Sequence, residues 1–293
     1  MTLEQLRIFT VVAETLSMTR AAERLHLTQP AISAAVGALE ERHGTLLFDR
    51  VGRRLELTQA GRLFLPEARS VLSRAEGARR VLDELAGLMR GEVRIAASQT
   101  VATYWLPARM ARFATDNPAI QIAMTVGNSA QTAALVLNGE ADLGFVEGQV
   151  EEPLLTKRII GGDRIGLYAA PDHALAGRRV EKADLQSATW VMREKGSGTR
   201  DHCMTGLRQS GIDVDALRIC LELPSNGAAL EATETGELIT AVSDLAANAR
   251  VKAGLVQRLD WPLPDRAFTM LAHRSRRPGR AVAAFTELAC GNG

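Results

Sequence analysis

The hydrophobic periodicity of this chain changes partway along, and no single layered architecture accommodates both patterns. From residue 2 to about residue 87 apolar side chains recur at helical spacing, whereas from about residue 92 short β-type runs alternate with helical stretches. A mainly α domain followed by an α/β domain is expected, with the boundary near Arg90 and Gly91. The 293 residues leave room for about two domains and for cores that need no covalent staples.

Composition narrows the class. With 46% apolar and 24% charged residues the chain is not a disordered tail. It holds no apolar run of membrane-span length, and its start, MTLEQLRIF, carries Glu4 and no apolar h-region. Cys203, Cys220 and Cys290 lie far apart with no CxxC pair, which fits a reducing compartment and offers no zinc site. A cytoplasmic chain with no membrane partner and no metal is expected.

The first helix opens with Thr2 and Gln5 at capping-box spacing and carries Leu6, Phe9, Val12, Ala13 and Leu16 on one face. A short second helix over 19–25 turns Ala21, Ala22 and Leu25 inward. The third has Thr28 as N-cap, Pro30 in its first turn, and Ile32, Val36 and Leu39 at i, i+4, i+7; Gln29, Ser33 and Gly37 face the other way. Three short helices tightly joined at His26 and Leu27 describe either a plain bundle or a helix-turn-helix, whose last helix offers its polar N-terminus to base edges. The run from Leu47 to Leu57 favours the second, since it reads as a hairpin with Arg50, Arg53 and Arg54 around its Gly52 turn, arginines that form either a solvated loop or, beside a helix-turn-helix, phosphate and minor-groove contacts. Residues 1–58 hold seven arginines against seven acids, so the basic footprint lies in the placement of these three rather than in net charge.

The series Ala21-Ala22-Glu23-Arg24-Leu25, Thr28-Gln29-Pro30-Ala31-Ile32-Ser33, Ala38-Leu39-Glu40, Leu47-Phe48-Asp49-Arg50 and Leu57-Thr58-Gln59-Ala60-Gly61 resembles the N-terminal domain of LysR-type transcriptional regulators. The resemblance implies that Gln29, Pro30 and Ser33 face the DNA groove, with Thr28 at their head, and that Arg53 and Arg54 act as wing contacts. Ala34, Ala35 and Gly37 leave this helix few base-edge donors, so specificity is expected to lean on the wing and on DNA shape.

Thr58 caps a further helix, expected to run to about residue 88. In it Phe64, Ala68, Val71, Ala75, Ala78, Leu82 and Leu85 are spaced 4, 3, 4, 3, 4 and 3 apart. That is an a/d seam, which favours burial against a second copy over the alternative of one amphipathic helix packed on its own domain, and Pro66 near its start frees the carbonyl of Arg62. By the resemblance this helix pairs two subunits so that two half-sites are read, and a tetramer is implied. The expected partition is 1–58 for the winged helix-turn-helix, 59–90 for the linker helix and 91–293 for a regulatory domain.

In the second half, strands are expected at 93–97, 120–126, 142–146, 164–168, 189–192 and 219–223, with helices over 106–115 and 132–137 between the first three. Such βαβ units make two lobes, here 91–162 with 267–293 and 163–266, joined by two crossovers. Ligands of these folds bind beyond the carboxyl ends of the strands. There the chain places Ser98, Gln99 and Thr100; Asn128, Ser129 and Gln131; Ser197 and Thr199; and Ser225 and Asn226. Hydroxyls and helix N-termini without acids among them describe an anion site. The resemblance covers this half more loosely and implies a fold like periplasmic solute-binding proteins. It makes Ser98, Thr100, Ser129, Ser197 and Thr199 effector contacts, and we add Asn128. No cofactor is expected beyond a small anionic or carboxylate effector.

The chain is thus expected to be a sequence-specific, DNA-binding transcription regulator, not an enzyme. Its expected partners are double-stranded operator DNA, the effector, further copies of itself and RNA polymerase. A DNA-organising protein with a vestigial pocket is the alternative. An enzyme acting on a small molecule is disfavoured, because the five histidines form no ligand pair and no nucleophile has an assignable base.

Overall fold

The structure is a computed structural model that describes residues 1–52, 54–85 and 91–291, and these fall into two compact units. The first contains α1 (Leu3–Thr15), α2 (Met18–Leu25), α3 (Gln29–His43), β1 (Phe48–Val51), β2 (Arg54–Leu57) and α4 (Gln59–Leu85). The Thr2–Gln5 capping box forms in full, and Ser17 caps α2. His26 adopts the left-handed conformation at φ 55° to stop α2, and the next residue, Leu27, returns its amide to the Ala22 carbonyl at 3.0 Å.

Leu6, Phe9, Val12, Ala21, Ile32, Val36 and Leu39 close around one core, with the Phe9 ring 5.5 Å from Phe48 and 5.1 Å from Phe64. This packing corrects the expected seam on α4. Ala68 is fully buried in the same core and Phe64 packs against it, so the first two turns of α4 are spent on their own domain. The seam is left with Val71, Ala78 and Leu82 exposed and Ala75 half-buried, while the side chain of Leu85 lies outside the described residues. Heptad spacing fixes which residues share a stripe but not whether their partner is a second copy or the chain's own α1.

The second unit contains β3 (Gly91–Ser98), α5 (Gln99–Tyr104), α6 (Leu106–Asp116), β4 (Ile120–Gly127), α7 (Ser129–Asn138), β5 (Leu143–Val146), β6 (Leu155–Ala169) and α8 (Lys182–Ser187). It continues with β7 (Thr189–Arg193), α9 (Gly198–Gln209), β8 (Arg218–Leu223), α10 (Asn226–Thr233), β9 (Leu238–Ser243), α11 (Asp244–Lys252), β10 (Gln257–Arg258), β11 (Asp265–His273) and α12 (Arg280–Cys290). Strand order is β4-β3-β5-β11-β6-β9-β7-β8, with β10 on β6. β3 pairs parallel with β4 and β5, and β7 pairs parallel with β8 and β9; β6 and β11 run antiparallel to each other across both groups. They are the two crossovers, and each lobe has its own core, around Phe113, Phe145, Phe268 and Phe285 in one and Trp190, Leu207 and Ile239 in the other.

Among the described residues β6 is longer than expected, and β9, β10 and β11 lie outside the six expected strands. The run at 164–168 is only the end of the fifteen-residue β6, whose first half is mostly exposed and carries no apolar alternation to announce it. β9, a short apolar run directly after α10, was indistinguishable by periodicity from a continuing buried helix. Where the crossovers run side by side, a Cβ on Gly162 would stand 2.5 Å from the Arg266 carbonyl oxygen, so this close pairing needs a glycine.

Candidate functional site

At the start of α3, Gln29 and Pro30 are exposed and Ser33 is half-buried, and the Gln29 amide donates to Ser33 Oγ at 2.8 Å, forming one polar edge. Thr28 occupies the N-cap position in extended backbone, but its hydroxyl makes no capping bond, which corrects the expected cap and leaves an exposed hydroxyl at the helix mouth. Glu40 explains its place in the motif series. Its Oε1 accepts from the backbone N–H groups of Leu47 at 2.7 Å and Phe48 at 3.0 Å, fixing the hairpin to α3. The hairpin turns at Gly52 (φ 64°), with Arg50 and Arg54 exposed; Arg53 lies outside the described residues. Behind it the Thr58 hydroxyl accepts from Gly61 N–H at 3.0 Å and donates to the Leu46 carbonyl at 2.8 Å. A Cβ on Gly61 would meet the Leu47 carbonyl oxygen at 2.1 Å, so only glycine lets α4 start here. A helix N-terminus with amide and hydroxyl groups beside exposed arginines can hold phosphate oxygens and base edges.

In the second unit, Ser98, Thr100, Asn128, Ser129, Ser197 and Thr199 are all buried around the cleft between the lobes, but they are not equivalent. Ser98 spends its hydrogen on the Phe145 carbonyl at 3.2 Å. Asn128 is a cap: its Oδ1 accepts from Gln131 N–H at 2.9 Å, while the Gln131 amide oxygen accepts from Asn128 N–H at 3.0 Å. Thr100 accepts from Asn226 Nδ2 at 3.0 Å, and Thr199 accepts from Arg266 Nη1 at 3.0 Å. Ser129 Oγ, at the head of α7, and Ser197 Oγ, at the N-cap of α9, have no partner.

The expectation that no acid lies among these loops is overturned. Glu147, just beyond β5, is buried there, and so are Arg266 and Asp163, which sequence reasoning did not single out, and Arg193, which opens the Arg193–Arg200 loop after the strand run at 189–192. Arg266 bonds Asp163 through two nitrogens, Nε at 2.7 Å and Nη2 at 2.5 Å, and Ser243 Oγ donates to the same carboxylate at 2.6 Å. Arg193 likewise grips Glu194 at 2.8 and 3.0 Å and passes its remaining nitrogen to Asn226 Oδ1 at 2.9 Å. Glu147 Oε1 stands 3.9 Å from Arg266 Nη1, and its Oε2 has no partner. Burial pushes this carboxyl above the ordinary carboxylate range, against the pull of Arg266, the Thr100 hydroxyl and Arg193. A cavity of about 740 Å³ adjoins, lined among others by Glu147, Gly148, Gly198, Asp201 and Arg266. On α9, His202 bonds the Pro264 carbonyl at 2.8 Å, and apolar burial pushes the Cys203 thiol up to about 12, so this adjacent pair makes no nucleophile and base.

Sequence profiles of two families match the chain: the bacterial regulatory helix-turn-helix protein, lysR family, over residues 3–62, and the LysR substrate binding domain over residues 86–290. The HTH-type transcriptional regulator YeiE of Escherichia coli (strain K12) is 34% identical over 288 residues, covering 98% of this chain and 96% of the relative. Full-length CbnR, solved in complex with its target DNA, is 25% identical with a TM-score of 0.69, and 99% of each chain is covered. The regulatory domain of Synechocystis PCC6803 CcmR in complex with 2-PG is 26% identical with a TM-score of 0.62, covering 69% of this chain and 96% of that one. With both halves matched, and with a helix-turn-helix, a hairpin and two α/β lobes in the expected order, the chain belongs to the LysR family of DNA-binding transcription regulators with an effector-binding domain.

Proposed function

We propose that this regulator reads operator DNA in paired half-sites and is switched by a small anion held between its lobes. Thr28, Gln29, Pro30 and Ser33 enter the groove while Arg50, Arg53 and Arg54 contact the backbone and the minor groove beside it. The stripe Val71, Ala75, Ala78 and Leu82 joins two copies, and pairs of such dimers make the tetramer that works in the cytoplasm beside RNA polymerase. The complexes of CbnR with its target DNA and of CcmR with 2-PG support both halves of this reading.

The observation that carries the anion is the pair of buried, unpartnered hydroxyls, Ser129 and Ser197, at two helix N-termini that converge on one cleft. A buried donor left without an acceptor costs about 1–3 kcal/mol, which a bound anion removes. Binding that favours the closed lobes over the open ones then shifts the arrangement of subunits on DNA. A thermal-shift screen of small carboxylates and inorganic oxyanions on the full chain tests this. At least one should raise Tm in the wild type and fail to do so in a Ser129→Ala, Ser197→Ala double variant; a screen in which none acts overturns it.

A further inference from the structure

We propose that Glu147 selects the effector's chemistry: the cleft takes a small anion that carries its own O–H donor, such as a hydroxycarboxylate or a monohydrogen oxyanion, and discriminates against the bare anion of the same size. This rests on the anion-cleft reading above and adds to it a requirement that donors alone do not impose.

The hydrogen-bonding inventory of the cleft leads there. Each buried guanidinium already has a carboxylate of its own, Asp163 for Arg266 and Glu194 for Arg193. Among the described residues Glu147 is the buried carboxylate left over, while Asp201 on the same cavity wall is exposed. Thr100 offers it one hydrogen bond, while Oε2 receives none although the side chain is buried. In its ionised form, above its raised titration range, this carboxyl can only accept. The uncommitted groups on the other side of the site are donors: Ser129 Oγ, Ser197 Oγ and the hydrogen of Thr199, whose oxygen is taken by Arg266.

The glycines bring the two sets together. A Cβ on Gly198 would lie 2.7 Å from Ser129 Oγ and 2.5 Å from the amide nitrogen of Gly148, the residue that follows Glu147. The cavity beside them is lined by Glu147, Gly148, Gly198 and Arg266, and the buried Ser129 Oγ lies directly behind the Gly148–Gly198 contact in its wall, so the unsatisfied acceptor borders the cavity next to an uncommitted hydroxyl. An anion with no hydrogen to offer sets lone pair against lone pair and charge against like charge in a desolvated site. One that carries an O–H satisfies Oε2 and turns the repulsion into a hydrogen bond. Sites built around a hydrogen bond to the ligand reject analogues that lack it far more strongly than apolar pockets reject a change of size.

The test is calorimetric titration of the full chain with two matched pairs, hydrogen phosphate against sulfate and glycolate against acetate, at one pH and ionic strength. The wild type is expected to bind the O–H-bearing member of each pair at least tenfold more tightly. Glu147→Gln, whose amide can donate, is expected to gain the bare anions and bring the ratio to within about twofold, with its folding checked by circular dichroism. Ser197→Ala is expected to weaken both members and leave the ratio unchanged. Binding without discrimination in the wild type, or an unchanged ratio in Glu147→Gln, overturns the role of Glu147 and leaves the anion cleft standing. No binding of any of the four overturns both.

Discussion

Gly148 and Gly198 meet backbone to backbone across the cleft, so closely that a Cβ on Gly198 would stand 2.5 Å from the Gly148 amide nitrogen and 2.7 Å from its Cα. Neither atom can move aside as a flexible side chain would. Gly198→Ala is therefore expected to hold the lobes apart at a cost of about 1–3 kcal/mol to the closed form. Operator binding should survive while its response to the effector is lost. Electrophoretic mobility titrations with and without the anion check this, and an undiminished response would show that closure at this point is not part of the switch.

Arg266 and Asp163 link the two crossover strands where they pass between the lobes, with side chains 1% and 2% exposed. Removing one partner leaves an uncompensated buried charge, so Asp163→Ala should destabilise the effector domain by about 3–5 kcal/mol. Denaturant unfolding followed by tryptophan fluorescence reads this directly through Trp190, which is fully buried in the lobe next to it. A loss below about 1 kcal/mol, the range of an exposed ion pair, would contradict the account of this bond.

Glu147 makes stability depend on pH in a definite direction. Because the folded state holds the Glu147 proton more tightly than the unfolded chain does, stability falls as pH rises from the ordinary carboxylate range through the raised value, and the full cost is present above it. Glu147→Gln removes that cost. The variant should gain on the wild type as pH rises through the raised value, reaching about 1–3 kcal/mol above it, the range for an uncompensated buried polar group, and the gain should shrink as pH is lowered. Thermal unfolding of both proteins between pH 5 and 8 in the absence of anions is the measurement, and a gain that grows toward low pH would reverse the assignment.

Two threonines at helix starts should behave differently. Thr58 caps α4 and also bonds the Leu46 carbonyl, so Thr58→Ala should cost about 1–2 kcal/mol of stability. Thr28 makes no capping bond, so Thr28→Ala should leave folding nearly unchanged and weaken operator binding alone. Parallel unfolding and DNA titrations of the two variants separate these outcomes.

What the residues announced and what they hid follow from the range of the interactions. The capping box at Thr2, the apolar stripe Ile32, Val36 and Leu39, and the Gly52 turn are local, and their spacing alone placed them. The hydroxyl loops at Ser98, Thr100, Ser129, Ser197 and Thr199 followed from one rule about strand ends. Arg266 and Asp163 could not be read this way, because about a hundred residues separate them, Asp163 lies next to the mostly exposed first half of β6, and Arg266 is a charged residue at an inward position of β11 where the alternation calls for an apolar one. Glu147 did leave a trace: an acid directly after the buried run Leu143-Gly144-Phe145-Val146 stands where ligands of parallel sheets bind. On α4 the seam spacing was correct as geometry, but Phe64 and Ala68 found their partners in α1 and the core of their own domain.

The central claim is that one small anion in the lobes changes how paired helix-turn-helices occupy DNA. Footprinting of the full chain on its own promoter fragment and on random duplex, with and without the anion giving the largest thermal shift, tests it most directly. The account predicts protection of two half-sites on the promoter at moderate salt, absent from random duplex, with an extent or affinity that changes when the anion is added. Uniform coating of both fragments, or a footprint indifferent to an anion that stabilises the fold, would contradict it.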